Sequence, residues 1–207
     1  MYILSITGPI GSGKSTLIKS LKQYLSKTYK VITIPEYIDG DPIFGLEMLK
    51  RFINGSISSL TFQSYILDYY SNIIKDILKD ISSEIVLIEK LPYDSVYCFG
   101  SVAVKNKQLT QQEFDVLVNK LELLKLDLPT YKSNLKVLNT DSLSNILNKS
   151  INIINEDLND GITKRAIYLK CNLEVCKERI MLRNRSGEDK YSPEYLQQII
   201  DFYDTII

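Results

Sequence analysis

A glycine-rich stretch near the start of the chain has the residue types that bind a phosphate chain. Residues 8–15 read GPIGSGKS, which fits the pattern G-x-x-x-x-G-K-[ST]. An apolar run precedes this stretch and an amphipathic run follows it, so the motif lies between a predicted strand and a predicted helix. There, backbone N–H groups can converge on phosphate oxygens, Lys14 can add a positive charge and Ser15 can coordinate Mg²⁺. The residues predicted to bind phosphate are Gly8, Gly11, Ser12, Gly13, Lys14, Ser15 and Thr16.

Two carboxylates follow the next apolar runs and are candidates for the acceptor side of a phosphoryl transfer. Glu36 ends the stretch KVITIPE, and Glu89 ends the stretch EIVLIE. In an open α/β sheet, ligands bind at the C-terminal ends of the strands, where both residues would lie. Glu36 could accept the proton of an attacking hydroxyl, and Glu89 could bind Mg²⁺ directly or through water. Either residue could equally be a solvated carboxylate after a strand.

These residues need a scaffold in which strands and helices alternate. Apolar strands are expected at about 2–7, 30–36, 84–92 and 165–171, with a further possible strand at 135–139. Helices are expected from the glycine motif to about Leu25, over 45–54, 60–81, 111–126 and 172–185, and from about Pro193. Another helix is expected to begin near Asp141 or Ser142 as its N-cap. The pattern is typical of one α/β domain over 1–207, with three α/β/α layers around a parallel sheet.

Composition narrows the class of partner. The 25 Lys and Arg residues balance 25 Asp and Glu residues, so no global positive field would attract nucleic acid or an anionic membrane. The chain has no His, which excludes His-based acid–base chemistry and His metal sites. Its three cysteines lack metal-ligand spacing, which indicates reduced thiols, and no apolar run approaches the roughly 20 residues that span a bilayer. We therefore expect a soluble cytoplasmic protein that binds small molecules.

Further motifs follow in an order that resembles the deoxynucleoside kinases. FQSY stands at 62–65 on the long predicted helix, and YCF stands at 97–99 after the acidic residue of the third strand. The later pattern IYL-x-x-x-x-E-V-x-x-E-R-I-x-x-R-x-R-S begins at Ile167, and EYL follows at 194–196. The resemblance covers the chain apart from about 127–162. It implies a P-loop kinase fold with a helical lid, and phosphorylation of a deoxyribonucleoside 5′-hydroxyl by ATP and Mg²⁺, for nucleotide salvage.

The resemblance also implies roles for residues at the acceptor end. Glu36 would be the general base for the sugar 5′-hydroxyl, and Gln63 would hydrogen-bond the base edge through its side-chain amide. Phe99 would stack on the base. Without the neighbouring motifs, Gln63 would be read as part of a polar helix face and Phe99 as an ordinary core aromatic.

The segment of about 179–191 resembles the family's lid. Arg179 and Arg183 are four residues apart and share one helix face, and Arg185 follows closely. Their guanidinium groups would neutralise charge on the transferring phosphoryl group, although a basic run is often only a solvated helix face. Glu188 matches the lid carboxylate that contacts the sugar 3′-hydroxyl.

Three positions in the expected site depart from the family pattern. Lys90 stands where the family has Arg, and it lacks the planar fork that binds two acceptors at once, although it could still supply a positive charge near the 5′-oxygen. Phe52 stands where many members have a Tyr that meets the 3′-hydroxyl, and it cannot make that bond. Tyr70 occupies a base-pocket position often held by a slimmer or charged side chain, which would narrow the site toward pyrimidines.

The order of elements near the end of the chain also departs from the family. Members continue past the lid helix into another strand and a loop that holds the donor adenine, whereas this chain ends at Ile207. Residues 135–157 resemble that strand and helix. Two interpretations are open at this point. The segment supplies the edge strand and part of the donor pocket from an inserted position, or it is a surface insertion.

Two rival functions are also open. A nucleoside monophosphate kinase such as thymidylate kinase would need extra arginines near the acceptor end, where only Arg51 lies between Glu36 and Lys90. A catalytically weak nucleotide-binding protein of the same fold would be consistent with Lys90 and the altered chain end. Family members are commonly homodimers packed through helices, and the apolar faces of 60–81 and 111–126 could form such an interface.

Overall fold

The computed structural model describes residues 1–79, 83–130, 134–140, 142–185 and 187–206. The described residues form a five-stranded sheet in which all neighbouring strands are parallel. The strands are β1 (Tyr2–Thr7), β2 (Val31–Ile34), β3 (Ile85–Glu89), β4 (Leu135–Asn139) and β5 (Lys164–Lys170), in the order β2-β3-β1-β5-β4. Because β1 and β3 lie inside the sheet and are covered on both faces, every residue in them is buried.

Helices cover both faces of this sheet. They are α1 (Lys14–Leu25), α2 (Tyr37–Gly40), α3 (Pro42–Ile53), α4 (Ser59–Lys79), α5 (Ser101–Lys105), α6 (Gln111–Leu123), α7 (Leu143–Asn159), α8 (Leu173–Arg183) and α9 (Pro193–Ile206). A π-helical segment, Asp94–Gly100, leads into α5, and a 3₁₀ turn, Glu188–Lys190, precedes α9. Helices α1 and α7 pack on one face, whereas α3, α4 and α9 cover the other. The predicted three-layer α/β/α architecture with a parallel sheet is confirmed.

The two predicted helix boundaries that differ most from the structure do so for local reasons. The helix predicted at 45–54 begins earlier, at Pro42, because the Asp41 side chain accepts a hydrogen bond from the Phe44 N–H at 3.2 Å and caps it. The helix predicted over 111–126 ends at Leu123, and Lys125 then adopts a left-handed φ of 46°. The predicted end of the long helix, at 80 and 81, lies outside the described residues.

The segment 135–157 contributes to the sheet and its cover. Strand β4 pairs in parallel with β5, with Leu135 opposite Ala166, and forms one edge. Helix α7 begins after Ser142, whose hydroxyl accepts a hydrogen bond from the Asn145 N–H at 3.3 Å, and packs into the same core as α1. The other N-cap candidate, Asp141, lies outside the described residues. The prediction of an inserted edge strand is confirmed, and the alternative of a surface insertion is wrong.

The helix surfaces bear on two predictions, a dimer and the lack of a membrane segment. Leu67 of α4 shares one buried cluster with Leu117 and Leu121 of α6, so the apolar faces offered for a dimer pack within the chain. The homodimer stays a prediction without that support. Over the stretches that the structure describes, no helix is both long and apolar enough to cross a bilayer.

Candidate functional site

A cavity of about 450 Å³ opens at the C-terminal ends of the strands. It is lined by the glycine motif, by Glu36 after β2 and Glu89 at the end of β3, and by side chains of α3, α4 and α8. Of the predicted site residues, Gly8 and Arg185 do not line it. Those that do are Gly11, Ser12, Gly13, Lys14, Ser15, Thr16, Glu36, Phe52, Gln63, Tyr70, Glu89, Lys90, Phe99, Arg179, Arg183 and Glu188.

The glycine motif forms a tight loop at the start of α1. Gly8 and Gly11 have positive φ values of 145° and 83°, and a Cβ on either would lie within 2.7 Å of a neighbouring backbone carbonyl oxygen. Lys14 Nζ donates hydrogen bonds to the carbonyl oxygens of Gly8, at 3.0 Å, and Pro9, at 2.8 Å. Burial and the charge of Lys90 lower the pKa of Lys14. The loop thus combines a helix N-terminus with a buried amine, a combination suited to phosphate.

Ser15 and Glu89 form a hydrogen-bonded pair next to this loop. Ser15 Oγ donates to Glu89 Oε1 at 2.6 Å. Burial, followed by the charge of Glu36, raises the pKa of Glu89. A hydroxyl and a carboxylate are hard oxygen ligands, and Mg²⁺ is usually bound by one or two such groups together with water and substrate phosphates. The pair therefore fits Mg²⁺ that is also bound by a phosphate chain.

Glu36 and Lys90 form an ion pair on the wall of the cavity. Lys90 Nζ lies 2.6 Å from Glu36 Oε1, and their side chains are 11% and 13% exposed, respectively. Burial disfavours the charged carboxyl, but Lys90 and Lys14 outweigh it and lower the pKa of Glu36 to about 2. Burial would lower the pKa of Lys90, but the Glu36 carboxylate raises it. The Phe99 ring lies 4.3 Å from Lys90 Nζ, which gives the ammonium a cation–π contact as well.

The end of the cavity formed by α3 and α4 is mostly apolar and contains one polar group in need of a partner. Phe52 and Phe62 stack with their ring centroids 4.5 Å apart, and the Tyr70 hydroxyl donates to the Glu89 carbonyl oxygen at 2.7 Å. Gln63 is only 4% exposed, and its Oε1 has no hydrogen-bond partner among the described residues. A buried acceptor without a partner is costly, so a ligand that donates a hydrogen bond here would be stabilised. Gln63 lines the cavity and does not belong to a solvated helix face.

The predicted lid lies across the phosphate end of the cavity. Arg179 Nη1 donates to a carbonyl oxygen of the glycine loop at 3.1 Å. Arg183 binds Glu188 Oε2 through Nε, at 3.0 Å, and Nη2, at 2.6 Å. Arg185 does not line the cavity: it donates to Asp39 Oδ1 at 2.9 Å, and its Nη1 lies 3.6 Å from Glu188 Oε1. The structure therefore brings two of the three predicted arginines to the cavity, and the third fastens the lid to α2.

Sequence reasoning missed several cavity residues. Tyr37 directly follows Glu36, and Tyr191 and Tyr195 stack on each other at a centroid distance of 5.4 Å. Leu143 and Ile146 reach the cavity from α7. The EYL motif, which contains Tyr195, was a usable signal, and Leu143 and Ile146 fall within 135–157, the segment offered for the donor pocket. Tyr37 and Tyr191 stand in no pattern that suggests a site.

A family comparison accounts for nearly the whole chain. The model of the deoxynucleoside kinase family matches residues 4–142 and 133–207. The two matched stretches share 133–142, the region of the inserted edge strand β4. The match therefore includes the glycine loop, Glu36, Glu89 and the predicted lid at about 179–191.

Two viral proteins are similar over the same length. Protein 029R of Invertebrate iridescent virus 3 is 23% identical over 208 residues, covering 100% of this chain and 83% of the viral protein. Protein 143R of Invertebrate iridescent virus 6 is 26% identical over 207 residues, covering 99% of this chain and 82% of the viral protein. Both are only provisionally named as kinases.

Solved structures of deoxyadenosine kinase from M. mycoides have a similar fold. The form with the products dCMP and a flexible dCDP bound has a TM-score of 0.66 and 16% identity, covering 98% of this chain and 82% of that one. The form with bound dATP has a TM-score of 0.63 and 16% identity, covering 99% of this chain and 83% of that one. At this identity the likeness shows the fold.

Proposed function

The chain belongs to the deoxynucleoside kinase family, and we propose that it transfers the γ-phosphoryl group of ATP to the 5′-hydroxyl of a deoxyribonucleoside. The observation that carries this proposal is one cavity in which the phosphate loop, the Glu36–Lys90 pair and the buried amide of Gln63 face the same space. Such a cavity can hold a phosphate donor at one end and a polar, largely planar acceptor at the other. In a cell the reaction would supply deoxynucleotides by salvage.

The donor would be bound by the glycine loop, the lid and α7. Loop N–H groups would bind phosphate oxygens. Lys14 Nζ, which donates to the carbonyl oxygens of Gly8 and Pro9, would donate to phosphate oxygens instead. Arg179 and Arg183 would neutralise the charge that develops on the transferring group. Leu143 and Ile146 would provide apolar surface for the adenine, the part of the donor pocket expected of 135–157.

Ser15 and Glu89 would hold Mg²⁺. When bound there, Mg²⁺ would neutralise charge on the β- and γ-phosphates. Ser15 is held by the first turn of α1 and Glu89 by the end of β3, so both ligands are placed by regular structure.

Glu36 would act on the attacking hydroxyl. A carboxylate with a pKa of about 2 is a weak base, so its first task is to orient the 5′-hydroxyl by accepting its hydrogen bond. As the new P–O bond forms and the bond from the γ-phosphorus to the oxygen that leaves with ADP breaks, the hydroxyl becomes strongly acidic, and its proton can then move to Glu36. Lys90 keeps Glu36 ionised and adds positive charge beside the attacking oxygen.

The nucleoside would lie between Glu36 and α4. The side-chain amide of Gln63 would pair with the base edge, and Phe99 would pack on the base. Glu188 would accept a hydrogen bond from the sugar 3′-hydroxyl, while Phe52 and Tyr70 shape the pocket.

The charge of the acceptor end favours a nucleoside over a nucleoside monophosphate. The carboxylates Glu36 and Glu188 line the cavity, where they are paired with Lys90 and Arg183, respectively. Arg51, the one arginine between Glu36 and Lys90, is exposed to solvent and does not line the cavity. An acceptor phosphate would therefore have to compete with these carboxylates for the cations that they already bind.

The experiment incubates the protein with ATP, Mg²⁺ and each of the four deoxynucleosides, and in parallel with their 5′-monophosphates, and separates the products by chromatography. We expect at least one nucleoside to yield its 5′-monophosphate, and Lys14→Ala to remove this activity without unfolding the protein. If products form only from the monophosphates, the proposal is wrong and the protein is a nucleoside monophosphate kinase. Binding of ATP and nucleoside by calorimetry without any product would replace it with a binding protein.

A further inference from the structure

Asp94, the first residue of the π-helical segment, is a fully buried carboxylate to which the proposed chemistry gives no role. Its Oδ1 accepts hydrogen bonds from Thr7 Oγ1 at 2.6 Å and from the Tyr203 hydroxyl at 2.7 Å. Its Oδ2 accepts one from the Leu91 N–H at 2.5 Å. A buried carboxylate is tolerated when donors of this kind surround it. Asp94 thereby ties β1, α9 and the turn after β3 to one another.

The turn held by Asp94 begins at Lys90. The backbone of Lys90 has a φ of 64°, in the left-handed region that residues other than Gly, Asn and Asp seldom adopt. Its N–H donates to the Ile6 carbonyl oxygen at 2.9 Å, which anchors the turn to β1. The next N–H, that of Leu91, donates the hydrogen bond that Asp94 Oδ2 accepts. From this constrained turn the Lys90 side chain extends to Glu36.

We propose that Asp94 is a positioning residue that holds Lys90 in reach of Glu36. Asp94 stabilises the left-handed turn by accepting a hydrogen bond from the Leu91 N–H. By accepting another from the Thr7 hydroxyl, it fixes that turn relative to the glycine loop, which starts at Gly8. Tyr203 orients the carboxylate through the third hydrogen bond. The catalytic consequence rests on the proposed function, whereas the positioning of the pair can be measured without turnover.

The first test is a double-mutant cycle of Asp94→Asn and Lys90→Met in the kinase reaction. An Asn side chain has one oxygen acceptor and two added donors, so it cannot accept all three hydrogen bonds. We expect Asp94→Asn to lower kcat by about tenfold or more, with little change in the KM for the nucleoside. In the Lys90→Met background it should have little further effect, because its cost passes through Lys90. If the double variant instead shows the product of the two separate decreases in kcat, the proposal is overturned.

The second test is independent of turnover and follows the Glu36 carboxyl by carbon-13 NMR titration without nucleotide or metal, with the signal assigned by Glu36→Gln. Lys90, Lys14 and Arg185 are the cations that act on this carboxyl. Removing the negative charge of Asp94 would by itself lower the pKa of Glu36, whereas displacing Lys90 would raise it. A higher pKa in Asp94→Asn supports the proposal. An unchanged or lower one overturns it, whether or not the protein phosphorylates a nucleoside.

Two buried tyrosines provide a matched pair of variants. Tyr203 and Tyr168 stack at a centroid distance of 5.5 Å, but the Tyr168 hydroxyl donates to Asp204 at 2.9 Å instead of Asp94. Tyr203→Phe should raise the pKa of Glu36 by less than Asp94→Asn, and Tyr168→Phe should leave it unchanged. If Asp94→Asn does not fold, this pair carries the test. If both tyrosine variants shift the pKa of Glu36 equally, the effect reflects a general disturbance of packing, and the proposal is overturned.

Discussion

Lys90 Nζ donates a 2.6 Å hydrogen bond to Glu36 Oε1 where both side chains are largely buried. The two residues follow β3 and β2, which are adjacent parallel strands, so the sheet brings together groups that are 54 positions apart in the chain. A buried ion pair is weak support for stability, because desolvation offsets most of its Coulomb attraction. On the wall of a cavity that also contains a phosphate loop, it is better explained by function.

Replacing Lys90 by Met should make the activity sensitive to mild acid. Lys90 and Lys14 outweigh burial and lower the pKa of Glu36 to about 2, so the base stays ionised through the acid range. Losing one cation raises this pKa, so kcat/KM should fall below a pH of about 5. The native protein and Lys90→Arg, which keeps the charge, should show a smaller fall, because protonation of Glu89, whose pKa burial raises, is common to all three proteins. Coincident pH–rate profiles for all three would show that Lys90 does not control Glu36.

Replacing Arg179 by Ala should slow phosphoryl transfer without weakening nucleoside binding. Its Nη1 lies 3.1 Å from the Ser12 carbonyl oxygen, at the mouth of the glycine loop. Loss of one group that stabilises developing charge commonly costs about 100-fold in kcat. Steady-state kinetics and calorimetry would check this, with Lys177→Ala as a control because that lysine pairs with Glu174 on the surface of the same helix. A normal kcat would remove Arg179 from the donor site.

Replacing Leu143 by Asp should raise the KM for ATP about tenfold and leave the KM for the nucleoside unchanged. The side chain lines the cavity at the start of α7, and the change removes apolar contact and adds charge repelled by a phosphate chain. Val137→Asp is the matched control, because Val137 lies on β4, is 49% exposed and does not line the cavity. Equal effects of the two variants would show that α7 is not part of the donor pocket.

Away from the cavity, Asp157→Asn should destabilise the protein by about 3 kcal/mol at neutral pH. Asp157 is buried and accepts hydrogen bonds from Arg165 Nε at 2.8 Å and the Tyr2 hydroxyl at 2.7 Å. Burial would raise the pKa of Asp157, but these bonds lower it. A carboxyl whose pKa is lowered by folding stabilises the native protein when the pH is above its pKa in the unfolded chain, roughly 3.9. This stabilisation is lost as the pH falls through its pKa in the folded protein.

Thermal unfolding at pH 7 and pH 3 would measure this effect. The difference between the native protein and Asp157→Asn should narrow at pH 3. There the Asp157 carboxyl of the unfolded chain binds a proton while the native carboxyl, whose pKa is lowered, resists protonation, and this favours unfolding. Asp160→Asn, at an exposed position just after the same helix, should behave like the native protein. A difference that is the same at both pH values would contradict the role of the lowered pKa.

Local motifs explain why much of the site could be predicted. The glycine loop and the lid arginines are encoded within short stretches, so their residues could be named before any packing was known. Gln63 could be placed because its immediate neighbours form a recognisable pattern. The roles expected of these residues depend on spacing along one helix or one loop.

Contacts between distant residues explain what could not be predicted. Thr7 and Tyr203 bind Asp94 across 87 and 109 positions, so no local pattern marks this carboxylate. The contact of Arg185 with Asp39 could not be predicted for a similar reason, because the two residues lie 146 positions apart. The π-helical segment that begins at Asp94 also had no sequence signal, since its residues fit no regular helical period.

The most direct test of the account is to follow labelled γ-phosphate from ATP into product for the native protein and Glu36→Gln side by side. We predict that the native protein places the label on the 5′-oxygen of a deoxynucleoside. Glu36→Gln should bind ATP equally well but form product about 100-fold more slowly. Equal rates in the two proteins, or label that enters only acceptors already carrying a phosphate, would contradict the account.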